Sequence, residues 1–255
     1  MADALRTALV TGGARRIGKA IVEDLAAHGF AVAIHCNDSH RDAERLAEGI
    51  VSSGGRAVVL RADLTSMTAA ERLVNAAVDA LDGPLGVLVN NASIFADDGV
   101  LDFDERTWDR HFAIHVKAPA VLTRRFAASL PDGVDGLIVN MIDQRVWKPT
   151  PQYFSYSLSK AALWTATQTM AMALAPRIRV NAIGPGPTIA NARQREADFT
   201  AQVDGLLLKR GPDLSEFGRT IRYLHGARAV TGQMIALDGG QHLAWQTPDV
   251  TGMVE

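Results

Sequence analysis

Apolar and polar positions along the chain follow two alternating periods. Short runs of consecutive apolar residues occur at Thr7 to Val10, Ala31 to His35, Ala57 to Leu60, Gly86 to Asn90, Gly136 to Ile142, Ile178 to Ile183 and Gln233 to Leu237. Runs of this length without polar alternation read as strands buried on both faces of a parallel sheet. Between them, apolar residues recur at three and four positions. Ile17, Ala20, Ile21 and Leu25 mark a helix over Ile17 to Ala27, and Gly29 closes it where a left-handed cap is needed. The same spacing predicts helices over Arg41 to Ser52, Thr68 to Leu81, Asp104 to Ala128 with a kink or break at Pro119, and Tyr153 to Leu174. One or two further helices precede the last strand. No linker or repeat interrupts the pattern. It predicts an α/β chain: a single-domain, Rossmann-type doubly wound parallel sheet of about seven strands flanked by helices. The domain spans residues 1–255, with an aperiodic C-terminal tail over about 247–255.

Composition narrows the picture. With 47% hydrophobic residues in 255, the chain can bury a full core without staples. Charge is nearly balanced, 26 Lys+Arg against 28 Asp+Glu, and nothing points to nucleic acid. Cys36 is the only cysteine, which excludes a disulfide framework and a thiolate metal cluster. The apolar run near the N-terminus is too short for a signal peptide or a membrane span, so a cytoplasmic protein without membrane partners is expected. The histidines offer no metal-ligand spacing with a matching carboxylate or thiolate. His111 and His115 do stand at i and i+4, but no metal is predicted.

Candidate chemistry begins at Thr11-Gly12-Gly13-Ala14-Arg15-Arg16-Ile17-Gly18, which joins the first strand to the first helix. Backbone N–H groups and a helix dipole at such a turn can hold a pyrophosphate. Gly12 permits the tight turn and Gly18 lets the helix pack closely on the sheet. Alone, the segment also fits a glycine-rich turn of any α/β protein. The second strand ends His35-Cys36-Asn37, with no carboxylate until Asp38, while Ser39 and Arg41 follow and Arg15 and Arg16 sit in the loop. Cations and a hydroxyl suit a ribose 2′-phosphate, so NADPH/NADP+ is predicted over NADH, with Asp38 the opposing feature.

Four motifs stand in order: Thr11-Gly12…Gly18, Asn90-Asn91-Ala92-Ser93 after the fourth strand, Tyr156-Ser157-Leu158-Ser159-Lys160 at a helix start, and Gly184-Pro185-Gly186 after the sixth strand. Together they resemble the short-chain dehydrogenase/reductase family over roughly residues 5 to 243. The resemblance implies Tyr156 as proton donor, and Lys160, at i+4 on the same helix face, as the group that lowers the tyrosine pKa and binds the nicotinamide ribose. It implies cofactor contacts at Thr11, Gly12, Arg15, Arg16, Ile17, Gly18, Asn37, Ser39, Leu64, Ala92, Pro185 and Gly186. Asn90 would line the adenine-ribose side and Thr188 the nicotinamide end. Asp63 would cap the adenine or simply start a helix.

Departures from the ordinary pattern narrow the resemblance to the pteridine reductase and dihydromonapterin reductase branch. Arg16 replaces the middle glycine of the loop. Asp143 stands thirteen residues before Tyr156, where a serine is usual. Phe95 follows Asn91-Ala92-Ser93. The branch implies a pterin-like substrate, possible dihydrofolate included, bordered by Arg16, Ser93, Phe95, Asp143 and Tyr156. Phe95 would stack on the flat ring and Ser93 would bond its pyrimidine edge. Asp143, its pKa raised by burial, would carry the proton together with Tyr156. His115 takes the place of an asparagine that holds a relay water, which would give the relay a pH-sensitive member. Each departure also has a plainer reading: a loop cap for Asp143, a core aromatic for Phe95, a core imidazole for His115, phosphate alone for Arg16. Two other functions stay open, a carbonyl or 3-oxoacyl reductase and a non-catalytic NADPH-binding regulator. Asp143 argues against the first, because a carboxylate repels a developing oxyanion. Trp147 is expected to border the substrate, Arg193 to Ala201 to form a lid, and the family resemblance to imply a homotetramer.

Overall fold

The computed structural model describes residues 5–190, 194–247 and 251. Its strands are β1 (Thr7–Val10), β2 (Ala31–Cys36), β3 (Arg56–Arg61), β4 (Val87–Asn90), β5 (Gly136–Met141), β6 (Ile178–Pro185) and β7 (Met234–Leu237). They form one parallel sheet in the order β3-β2-β1-β4-β5-β6-β7. The strands are apolar on both faces because both faces are covered. Ala8, Val10, Val87 and Val89 face one core, with α1 (Arg16–Ala27), α2 (His40–Ser52) and α8 (Leu214–Gly226). Leu9, Leu88 and Ile138 face the other, with α3 (Met67–Ala80), α5 (Ala118–Ser129) and α6 (Phe154–Leu174). Helix α4 (Glu105–Phe112) precedes α5, and α7 (Glu196–Asp204) follows β6. No helix among the described residues is long and apolar enough to cross a membrane.

The chain runs outward from β1 to β3, then returns to β4 on the other side of β1. This reversal leaves a crevice outside the carboxyl ends of β1 and β4, where ligands of such sheets bind. The expected elements appear with ends shifted by one or two residues. Two differences have physical causes. Strand β6 continues to Pro185 because Ile183, Gly184 and Pro185 pair with Ile235, Ala236 and Leu237 of β7. The long helix expected over 104–128 is divided by a π-turn at Ala113–Lys117, where the Ala118 N–H bonds the Ala113 carbonyl five residues back. Pro119, with no N–H to offer, follows at once. Of the expected lid, Arg193 lies outside the described residues, as do 248–250 and 252–255 of the tail; α7 covers the rest of the lid from Glu196 onward.

A buried polar chain ties the sheet to α6. Asn90 Nδ2 donates to Asn140 Oδ1 at 2.8 Å, and Asn140 Nδ2 donates to Thr167 Oγ1 at 2.9 Å. Asn140 and Thr167 are fully buried, so removing the middle member strands the Asn90 amide, while the Thr167 hydroxyl keeps its bond to the Leu163 carbonyl at 2.8 Å. Asn140→Ala is expected to cost about 2 kcal/mol of stability. An unchanged denaturant midpoint would refute this account.

Candidate active site

The turn after β1 is braced from three sides. Gly12 holds φ +61°, in the region that favours glycine. Its N–H donates to His35 Nδ1 at 3.1 Å, and the Gly13 N–H to the His35 carbonyl at 2.9 Å. His35 Nε2 lies 3.0 Å from the Ala62 carbonyl and must donate there. The ring is therefore neutral with its proton on Nε2, and burial pushes its pKa down accordingly. Asn91 Nδ2 donates to the carbonyls of Thr11 and Gly12 at 2.8 and 3.0 Å. Thr11 is buried, and its hydroxyl accepts the N–H groups of Asn91 and Ala92, so it braces the turn from within. A side chain at Gly18 would place Cβ 2.1 Å from the Gly12 carbonyl oxygen. Ile17 packs against the core beneath.

Arg16 takes the left-handed conformation, φ +52°, that its position in the turn demands, and its guanidinium reaches across the crevice. It donates to the carbonyls of Ile189 and Ala190 at 2.9 and 3.1 Å, in the loop that continues Pro185 and Gly186 past the end of β6. Gly186 has no room for Cβ beside Asp238, and the Thr188 hydroxyl turns back to the Gly186 carbonyl at 3.1 Å.

The first turn of α1 has no side-chain cap and no acidic residue, so its amides are free to meet an anion. A cavity of about 410 Å³ opens beside it, lined by Gly12, Arg15, Asn37, Ser39, Leu64 and Ala92 among others. Asp38 and Asp63 line it too. Asp63 accepts from the Thr65 N–H and hydroxyl at 2.9 and 2.8 Å, and those bonds hold its carboxyl below the usual carboxylate range. It makes a turn ahead of α3, and it also faces the cavity. Arg15 is ion-paired with Asp42 of α2, which also takes Arg45. A larger cavity of about 1050 Å³ between α1 and α2 shares only Ala14 and Arg15 with this one and contains no other site residue.

The chemistry-bearing groups meet where β5 and α6 converge. The Tyr156 hydroxyl donates to Asp143 Oδ2 at 3.0 Å. Asp143 Oδ2 also takes Arg145 Nη1 at 3.1 Å, and Oδ1 takes the Arg145 N–H at 2.9 Å. Two expectations are corrected. Asp143 accepts from both the phenol and the Arg145 guanidinium, so Tyr156 and not Asp143 is the donor in this arrangement. Tyr156 is pushed well above its ordinary pKa by burial and then by the Asp143 charge, and Lys160 does not draw it down. Lys160 instead donates to the Met141 carbonyl at 2.8 Å, 5.7 Å from the centre of the Tyr156 ring. Burial lowers Lys160 to about 8, against the opposing pull of Asp143.

Phe95 stacks on Tyr153 at 4.4 Å and meets Tyr156 edge-on at 4.7 Å, so one face of the expected stacking partner is already covered. The Ser93 hydroxyl lies 2.9 Å from His115 Nε2, which occupies the bond expected to reach a substrate edge. His115 has no hydrogen bond to Lys160 or to the Tyr156 hydroxyl among the described residues. Burial, then Lys160 and His111, push its pKa well down. It is a neutral ring at ordinary pH, not a pH-sensitive relay member. Trp147 is half-exposed, against His242 and Trp164.

Sequence reasoning missed His35, Asn91, Arg145 and Tyr153. Asn91 lies inside a quoted motif, and Arg145 two residues after Asp143 is a visible charge partner. Tyr153 carries a left-handed backbone, φ +57°, which no sequence pattern announces.

A phosphate-ready helix start, a crevice at the point where the strand order reverses and a buried Tyr–Lys pair on one helix define the class of nucleotide-dependent α/β oxidoreductases. The sequence pattern of the short chain dehydrogenase family matches residues 6–200, and the chain belongs to the short-chain dehydrogenase/reductase family. Among solved structures it is similar to FolM alternative dihydrofolate reductase 1 from Brucella canis, complexed with NADP: 58% identity, 98% of this chain and 100% of that one covered, TM-score 0.95. The Brucella suis protein of the same name, also with NADP, is 60% identical over 97% of this chain and 99% of that one, TM-score 0.94. A short-chain type dehydrogenase/reductase of Picea abies is 30% identical, with 92% of each chain covered.

Arg16 yields a local prediction. Arg16→Gly and Arg16→Ala both lose the guanidinium, but only Gly relaxes the left-handed backbone. The Gly variant is expected to be more stable than the Ala variant by about 1 kcal/mol. Equal thermal midpoints would show that the backbone there is unstrained.

Proposed function

We propose that the protein is an NADPH-dependent reductase of pterins, acting on a dihydropterin, an oxidised pterin or dihydrofolate. The hydrogen bond from Tyr156 to Asp143 at 3.0 Å carries the reading. A ketone reductase needs neutral or positive donors where oxyanion charge develops, and a carboxylate there opposes it. An imine nitrogen of a reduced ring needs a proton, and the phenol–carboxylate pair holds one transferable proton between two oxygens. The likeness to the two NADP-bound FolM structures supports the same reading.

The residues fit the cofactor. The uncapped amides of α1 would take the pyrophosphate, Arg15, Asn37 and Ser39 the phosphorylated ribose, and Asp63, Leu64, Asn90 and Ala92 the adenosine side. Asn90 Oδ1 is buried without a protein partner among the described residues, which suits a nearby hydroxyl. When bound, NADPH supplies the hydride. Tyr156, kept protonated by burial and Asp143, gives its proton to the ring nitrogen. Arg145 balances the carboxylate while the phenol is deprotonated, and the Lys160 ammonium, anchored on Met141, would bind the nicotinamide ribose. A flat heterocycle would lie beside the Phe95–Tyr153 pair and Arg16.

NADPH oxidation is to be measured with dihydrobiopterin, dihydromonapterin and dihydrofolate beside a panel of ketones. Turnover of ketones without pterins would sink the reading, and equal affinity for NADH would sink the cofactor choice. Tyr156→Phe and Asp143→Ala are each expected to lower kcat by at least about 100-fold, a usual size for lost acid–base catalysis, with NADPH binding retained in a direct titration.

Lys160 sets a pH dependence. Its charge is present below about 8 and lost as pH rises through that value. The rate of reduction is therefore expected to fall on the alkaline side of about 8, and a profile flat to pH 9.5 would exclude the ammonium from the reaction.

A further inference from the structure

Behind Tyr156, two histidines repeat one arrangement. The Ser159 hydroxyl donates to the Tyr156 carbonyl at 2.7 Å, so Ser159 Oγ, 2.7 Å from His115 Nδ1, accepts the Nδ1 proton. His115 Nε2 is then an acceptor. It faces the Ile94 N–H at 3.4 Å and the Ser93 hydroxyl at 2.9 Å. One turn earlier the Ser155 hydroxyl donates to Asp98, and Ser155 Oγ accepts from His111 Nδ1 at 2.7 Å. His111 Nε2 accepts the Ala96 N–H at 3.4 Å. Each ring is a neutral two-ended bridge between a serine of α6 and a backbone N–H of the segment that carries Ser93 and Phe95.

The spacing explains why two rungs fit. Four helical residues rise about 6 Å. Two extended residues advance about 6.6 Å. His111 to His115 and Ser155 to Ser159 are four apart on helical segments, and Ile94 to Ala96 are two apart in a segment outside any helix or strand, where a two-residue advance can match one four-residue helical repeat. The rings stack on each other at 5.5 Å, 16° from parallel. The Tyr156 ring stands almost perpendicular to both, at 5.9 Å from His111 and 5.4 Å from His115. Both imidazoles are essentially buried, at 0% and 1% exposure, and every ring nitrogen is occupied, which leaves none for a metal.

We propose that His111 and His115 are positioning residues, a two-rung ladder that sets the register of segment 93–96 and the ring plane of Tyr156. The ladder places Ser93 and Phe95 at the substrate space, which rests on the reading above that those residues border the substrate. It needs neutral rings. His111 is faced by Asp98, Arg110, Lys160 and the Tyr156 phenol; His115 is faced by Lys160, His111 and the same phenol. Burial leads in both cases, and both are driven towards the neutral form.

The test has two arms. In the full chain labelled with ¹⁵N-histidine, both rings are expected to show the Nδ1–H tautomer and to titrate below the free-imidazole midpoint of about 6.5. An Nε2–H tautomer, or an ordinary midpoint, in either ring would overturn the ladder. In the kinetic arm, with NADPH saturating, His115→Phe keeps a ring but loses both bonds. It is expected to raise KM for the pterin about tenfold, the size of one lost hydrogen bond, and to change kcat by less than about threefold. His115→Gln, which keeps a donor and an acceptor, is expected to recover most of that KM. Loss of kcat at unchanged KM would make His115 a relay member and overturn the proposal, as would a Gln variant no better than Phe. Should the Phe variant not fold, Ser159→Ala frees the same ring with a smaller change and is expected to raise KM in the same direction. If the unaltered protein turns over no pterin, the substrate reading fails by itself, and the ring measurements still decide the ladder.

Discussion

A carboxylate can sit beside a buried phenol only where its charge is balanced, and here Arg145 does that for Asp143. One carboxyl oxygen takes both the Tyr156 hydroxyl and the Arg145 guanidinium. The arrangement keeps the phenol protonated in the resting site and gives the resulting phenolate a cation close by. It also draws three regions together. Asp143 caps the start of the turn after β5, Tyr156 lies in the first turn of α6, and Arg145 lies near the faces of Phe95 and Tyr153, 5.8 and 5.3 Å from their centres. A change at Asp143 therefore disturbs the aromatic border of the site as well as its proton.

The crevice depends on a second set of bonds that contact no substrate. His35, Asn91 and the Thr11 hydroxyl fix the turn after β1, and Asn90, Asn140 and Thr167 fix β4 and β5 against α6. Each is a buried polar contact between elements far apart in the chain. Such contacts are costly to leave half-made, so they hold one geometry where apolar packing alone would tolerate several.

The fold was legible because a parallel sheet covered on both faces writes its strands as apolar runs and its helices as three-and-four spacing. The division of the helix over 104–128 was signalled by Pro119. Its π form was not, since that depends on which carbonyl the Ala118 N–H selects. Of the site, Tyr156, Lys160, Asp143 and the turn glycines were legible as residues but not as charge states. Whether Lys160 lowers the Tyr156 pKa turns on where its ammonium lies relative to the hydroxyl, and here it donates to the Met141 carbonyl. His115 was expected to titrate near neutrality, but burial behind Tyr156 removes that property, and only the folded chain reveals burial. His111 and His115 were visible at i and i+4, as were Ser155 and Ser159. Their meeting across two helices was not.

Arg16 has a consequence for how the molecule tolerates change. Its guanidinium closes the turn after β1 onto the loop after β6 by bonding the carbonyl oxygens of Ile189 and Ala190, not their side chains. Every amino acid carries that oxygen. Positions 189 and 190 are thus free to vary in size and polarity without opening this closure, so the wall of the crevice can be re-specified for a different guest while the contact that frames it persists.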